Sequence, residues 1–362
     1  MKKISLLLAM FALSIFSMSA QCVLRYTPSS GEGQSYTSLD QAYADAQDDD
    51  ILYLSGHTFQ FSTNAVEKRL QWVGAGIISD STYATGSTRI NPTNNSSISF
   101  IIHPQAGGSS FTGINFGGFR LNDCDVSGEI SLVTFTRCKF MSDWISLSFV
   151  INLESQLHYR FQECIFNTIV YGNGFCPLAP SDITFDNCIF THGLFRLRTG
   201  TYNFRNCTLW AAGASDGISQ SEGCSFLNCI FWDAANTAFI DAGYMASGNV
   251  FDHCAFSHPT IPVYGSGANP TQINSCIAGV TTLFVNTNDN FTYEEDDDYN
   301  LLAGSEALTA GIADGQTGIY GGDYPVKPGY VPFNPHISSK NIAPATVNGL
   351  LNVNFITTSQ NH

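Results

Sequence analysis

Between residues 159 and 256 the apolar positions return in one short phrase: "YRFQECIF", "ITFDNCIF", "YNFRNCTL", "CSFLNCIF" and "VFDHCAF". Aligned on Cys138, Cys164, Cys188, Cys207, Cys229, Cys254 and Cys276, the phrase recurs at intervals of 19 to 26 residues, with a mean of 23. Three positions before each Cys stands Phe135, Phe161, Phe185, Phe204, Phe226, Phe251 or Ile273. Two positions after it stands Phe140, Phe166, Phe190, Leu209, Phe231, Phe256 or Ala278. The alternation has a period of two on both sides of the Cys, so each unit reads as strand, bend, strand. A fixed local core separated by loops of varying length specifies a solenoid.

The residue before each Cys explains the bend. Asp123, Asn187, Asn206, Asn228 and His253 are the non-glycine types that best tolerate a left-handed backbone, with Arg137, Glu163 and Ser275 as exceptions. One such residue between two strands turns the chain while the flanking side chains both point inward. Phe, Cys and Phe then form columns with like side chains ~4.8 Å apart along the stack. Stacked Asn side chains at the bend are positioned to bond from coil to coil.

The flanks read differently. In "YTSLDQAYADAQDDDILYLSGHTF", Leu39, Ala42, Tyr43 and Ala46 share one helical face, and Ser38 with Gln41 makes a capping box. The Gly-rich "DYNLLAGSEALTAGIADGQTGIYGGDYP" at 298–325 closes the repeat region. Together the coils and flanks resemble a right-handed parallel β-helix of the pectate-lyase-like superfamily, in particular the secreted versions common in Bacteroidota. That resemblance implies an all-β solenoid of about ten coils, a helix plugging the N-terminal end, and an extended C-terminal tail. Its expected layout is a signal peptide at 1–20, the β-helix at 21–322, and a segment at 323–362 packed on the outside.

The signal peptide is read from "MKKISLLLAMFALSIFSMSAQC": Lys2 and Lys3, an apolar run too short to cross a bilayer, and a small-residue exit at Ser19-Ala20. The expectation is a secreted, periplasmic or cell-surface protein with no transmembrane segment. Bulky Gln21 before Cys22 argues against lipid anchoring at that Cys. Charged residues are only 12 %, against roughly 25 % in average proteins, while 44 % are hydrophobic and 27 are Phe. The net charge of −15 argues against nucleic acid as a partner. Eleven Cys in an exported chain normally mean disulfides. In-register Cys with parallel Cβ vectors are ill placed to bridge, so a column of free, buried thiols is expected instead.

Outside the coil, the residues following Cys include Ile165, Ile189, Ile230 and Ile277, an apolar stripe that needs a cover. The tail from Asp323, Pro-rich and then alternating at Leu351, Val353 and Phe355, is the expected cover. Trp210 and Trp232 share an outward column and are candidates for a carbohydrate-binding platform. The resemblance implies a polysaccharide or cell-surface glycan as partner. Enzymes of this family use acidic residues with Ca²⁺ and a basic residue, or clustered Asp, beside the strand before the bend. In that region "HGLFRLRTG" sets Arg196 and Arg198 outward, with Asp216 and Asp241 in following coils and Asp143 and Glu154 earlier. Arg196, Arg198, Asp216 and Asp241 are the catalytic candidates. "YEEDDDY" at 293–299 supplies oxygen ligands for Ca²⁺ but lacks the spacing of a calcium loop. No family catalytic signature is matched residue for residue. The sequence therefore leaves open a glycan-cleaving enzyme, a glycan-binding module and a structural or adhesion rod.

Overall fold

The computed structural model describes residues 21–359 apart from 64, 79–85, 93–98, 118–119, 122–129, 142–149, 153–156, 172–180, 196, 198–199, 212–217, 220, 234–247, 262–270, 282, 288–292 and 331–335. Its architecture is an all-β parallel solenoid, as the repeat predicts. The first side stacks ten strands in parallel, from Ile51–Leu54 to Gln272–Asn274. The second side stacks nine, from Thr58–Phe61 to Ala255–Phe256. Among the described residues the third side pairs as one sheet of four strands and one of three, so fewer described coils are strand-lined on every side than the ten expected.

Register follows the columns named from sequence. Phe161 pairs with Phe185, Phe185 with Phe204, and Phe204 with Phe226. Neighbouring rings in this column lie 5.0, 4.7 and 4.7 Å apart and within 16° of parallel. A second column, Phe116, Phe140, Phe166 and Phe190, stacks at 5.4, 5.0 and 4.7 Å. The two columns meet edge to face, as Phe185 does on Phe190 at 5.3 Å. Both arrangements suit the ring quadrupole.

Cys fills the corner between the columns. Cys138, Cys164, Cys188, Cys207, Cys229 and Cys254 are free and buried. Each thiol donates to the carbonyl of the Phe one coil back, as Cys188 Sγ does to Phe161 O at 3.5 Å and Cys207 Sγ to Phe185 O at 3.4 Å. Burial pushes the Cys138, Cys188, Cys229 and Cys254 thiols up from their ordinary pKa. These thiols are small apolar spacers rather than nucleophiles. Iodoacetamide at neutral pH should therefore label exposed Cys22 and leave Cys138, Cys164, Cys188, Cys207, Cys229 and Cys254 intact until denaturant is added. Peptide mapping by mass spectrometry reads this directly, and rapid native labelling of Cys188 would contradict the packing.

Every described bend in the row is left-handed, the exceptional residue types included, while Asp123 lies outside the described residues. Arg137, Glu163, Asn187, Asn206, Asn228, His253 and Ser275 have φ between 50 and 53°. At the N-terminal end, helix α1 (Leu39–Asp45) is capped by Ser38, which accepts from Gln41 N. It buries Leu39, Ala42 and Tyr43 over the first coil, and the Tyr43 ring lies 5.5 Å from Phe61 and 5.8 Å from Trp72. The helix does not close this end alone. An antiparallel hairpin, Val23–Thr27 with Glu32–Tyr36, pairs through its first strand with Ile51–Leu54 and extends the edge of the sheet.

The outward Ile stripe is covered mostly by a segment ahead of 323–362, to which that tail adds Val326 and Tyr330. Ile165, Ile189, Ile230 and Ala255 are buried in a second core with Val280, Phe284, Tyr299, Leu301, Ile319, Val326 and Tyr330. The segment 280–330 is thus a strap laid back over coils already wound. The bend residues stitch it down. Asn187 Nδ2 donates to Ile319 O and Gly321 O, both at 2.9 Å, and Asn228 Oδ1 accepts from Ile312 N at 3.0 Å. Among the described bend Asn residues, only Asn228 to Asn206, at 3.3 Å, bonds from coil to coil. Gly318, at φ 78°, lets the strap touch the stripe, because a Cβ there would lie 2.5 Å from Ile230 Cδ1. Beyond the strap, His336–Ile342 and Val353–Thr358 form a hairpin whose Val353, Phe355 and Ile356 are exposed. The expected signal peptide at 1–20 lies outside the described residues. Among those residues no helix is long and apolar enough to cross a membrane.

Candidate functional site

On the first sheet, inward Tyr159 and Phe161, Ile183 and Phe185, and Tyr202 and Phe204 force the residues between them outward. Pairing then sets the outer face in rows. His158 opposes Asp182, which opposes Thr201. Arg160 opposes Thr184, and Gln162 opposes Asp186, which opposes Arg205. The strap leaves this face open, and an open depression of about 630 Å³ lies on it, bordered by Leu132, His158, Arg160, Asp182, Thr184 and Arg205.

Asp186 organises this site. Its side chain is only 9 % exposed, although it belongs to an outward row. Arg160 Nε donates to Oδ2 at 3.0 Å, and Arg205 Nε lies 3.0 Å from Oδ1. One carboxylate thus fixes two guanidinium groups from the coils on either side, while Arg160 and Arg205 remain 42 % and 49 % exposed. Half-exposed pairs of this kind add little stability, about 0–1 kcal/mol. What they gain is orientation: each Arg commits its Nε to Asp186, and among the described residues its Nη donors have no recorded partner. Such a fork suits carboxylate, sulfate or vicinal hydroxyl acceptors.

The same geometry bears on hydrolysis. Asp182 and Asp186 lie four residues apart on one strand, so their Cα atoms are about 13 Å apart. Glycosidase carboxyl pairs sit at roughly 5–10 Å. Asp186 also spends its oxygens on two Arg. Asp182 and Asp186 are therefore too far apart to act together as a glycosidase acid–base pair.

Arg196, Arg198, Asp216 and Asp241 lie outside the described residues, as do Asp143 and Glu154. Near the two Arg, Leu194 is buried and Phe195 half-buried, against the alternation expected there, while Leu197 is buried as expected. Trp210 and Trp232 do pair in register, as the outward column predicts. They do not form an open platform. Trp210 is 1 % exposed, its ring 4.9 Å from Trp232 at 90° and 5.4 Å from Tyr299 of the strap. Trp232 meets Phe284 of the strap at 5.3 Å. In the acidic run, Asp297 Oδ2 accepts from Glu294 N at 2.9 Å and from Tyr299 Oη at 3.2 Å, so it serves the turn. Among the described residues no three His, Cys, Asp or Glu side chains gather as metal ligands.

Sequence reading missed Arg160, Asp182, Asp186 and Arg205. The available signal was position: Asp186 and Arg205 stand two before Cys188 and Cys207, in one outward row. The fold places this chain in the class of parallel β-solenoids. Comparison with protein-family models, curated proteins and solved structures returned no match.

Proposed function

We propose that this solenoid is an extracytoplasmic polysaccharide-binding protein whose glycan lies across the strands of the first sheet, over Arg160, Asp186 and Arg205. The observation that carries this reading is the pair of half-exposed Arg fixed by one nearly buried Asp beside an open depression. Successive coils repeat at ~4.8 Å, close to the advance of one pyranose in an extended chain, so equivalent groups on successive coils meet successive sugars. The signal-like N-terminus and the pectate-lyase-like repeat support an exported, glycan-facing role. Cleavage is the second reading, supported by the likeness of the repeat to polysaccharide lyases. The non-catalytic form of the protein needs only the rigid ladder and the Arg fork.

Titration against a panel of acidic and neutral polysaccharides tests the proposal. Arg160→Ala and Arg205→Ala should each weaken binding about tenfold, the loss of roughly one charge-assisted contact. Trp210→Phe, beneath the strap, should leave binding unchanged. Unaltered binding in the Arg160→Ala/Arg205→Ala double variant would overturn it. Release of new chain ends from a bound glycan, abolished in the double variant, would instead establish cleavage.

A further inference from the structure

A second polar column lies on the opposite flank of the coil and is not used by the groove. Arg89 pairs with Asn115, and Asn115 with Lys139, on three successive coils of the second sheet. The same column continues into Ile165 and the apolar stripe. Asn115 is 8 % exposed and Lys139 5 %. Such burial is unusual for lysine, which is rarely hidden without a partner. The Lys139 ammonium lies 4.7 Å from the centre of the Tyr293 ring of the strap, and among the described residues it makes no hydrogen bond. Glu295, an exposed residue, supplies the facing negative charge, and Arg89 a second positive one. Burial lowers the Lys139 pKa, so the site presses against its own cation.

The neighbours of Lys139 are arranged around a gap in the bonding. Asn115 Oδ1 is buried and meets no donor. An unmet buried amide is costly, and the carboxamide can turn either edge to a ligand. Arg89 Nε donates to Asn91 Oδ1 at 2.9 Å, which anchors the guanidinium beside Gly117. A Cβ at Gly117 would lie 2.8 Å from Arg89 Nη2, so glycine is what lets the guanidinium lie against this strand. Two cations and an unsatisfied amide, stacked at ~4.8 Å intervals beneath an aromatic ring, have the complement of an anion with several oxygens.

We infer that Arg89, Asn115 and Lys139 form a binding site for an oxyanion, held beneath the strap and separate from the glycan groove. The anion accepts from the Lys139 ammonium and the Arg89 guanidinium, and Asn115 bonds its remaining edge. Its chemistry is that of inorganic phosphate or of a sugar carboxylate. Occupancy would tie the strap to the second sheet, because Tyr293 packs on the same ammonium that holds the ligand.

The experiment uses the chain from residue 21 onward. In a buffer free of multivalent anions, Lys139→Met should melt higher than the parent, because the stem keeps its contact with Tyr293 and no charge is buried. Inorganic phosphate, compared with chloride at equal ionic strength, should raise the melting temperature of the parent along a saturable curve. Calorimetric phosphate affinity should fall at least tenfold in Lys139→Met and in Asn115→Leu, and be retained in Lys139→Arg. The phosphate response should survive in Arg160→Ala/Arg205→Ala, so this site and the groove fail or stand independently. Glucuronate binding tighter than phosphate, with no response to glucose, would assign the site to an acidic sugar; the reverse order would assign it to the inorganic ion. Absence of a saturable response in the parent, or equal phosphate affinity in parent and Lys139→Met, would overturn the inference.

Discussion

Phe185→Ala is expected to lower stability by about 3–5 kcal/mol, a large part of the total for a domain. The ring is fully buried and has neighbours on every side. It stacks at 5.0 Å on Phe161 and 4.7 Å on Phe204, and meets Phe166 and Phe190 edge-on at 5.5 and 5.3 Å. Its removal opens a void that strand pairing on both sides prevents from collapsing. Phe185→Leu should lose less, because it fills most of the volume and forfeits mainly the ring-stacking geometry. Urea titration followed by tryptophan fluorescence would measure both. A Phe185→Ala midpoint equal to that of the parent would mean that the column does not support the coil.

The second large effect lies at the bend. Arg137 and Glu163 are 0 and 2 % exposed and pair at 2.9 Å, Nε to Oε2, with a longer Nη2 to Oε1 contact of 3.5 Å. Glu163 also accepts from Lys327 N of the strap at 3.3 Å. Removing one partner should cost about 3–5 kcal/mol, since the other charge is left buried, whereas Arg137→Met/Glu163→Leu should fall closer to the parent. Burial raises the Glu163 pKa above the ordinary glutamate value, against the pull of Arg137. A folded state that holds this proton more tightly than the unfolded chain is most stable below the ordinary glutamate range. That share is lost as pH rises through the raised value. Arg137→Met strips away the opposing cation, so its deficit should be larger at about pH 7 than at about pH 4. Equal deficits at both pH values would show that the carboxyl is not electrostatically isolated.

The repeat was legible because burial imposes a strict identity on three positions per coil. Phe, Cys and Phe recur since each must rest on its own copy, and the bend recurs since only a left-handed residue turns there. Arg137 and Glu163 broke the residue preference without breaking the conformation, because each supplies the charge that the other needs. The strap was harder to read. Residues 280–330 carry little periodicity, and the apolar alternation of 351–355 drew attention to a hairpin that is exposed. The Trp pair showed the same limit: its register was readable, but Phe284 and Tyr299 come from distant sequence and close over it. The Arg160–Asp186–Arg205 fork was hidden for the opposite reason. Outward strand positions are polar in any coil, and only pairing across three strands reveals that one Asp serves two Arg.

The strap also imposes a direction on assembly. The surfaces of Ile165, Ile189 and Ile230 are made early in synthesis, but their cover begins at Val280. Every nascent chain that ends between these points carries coils with one greasy seam still uncovered. Winding of the coils and sealing of the seam are therefore separate events in time, and the interval between them is when this protein most needs to be kept from its neighbours.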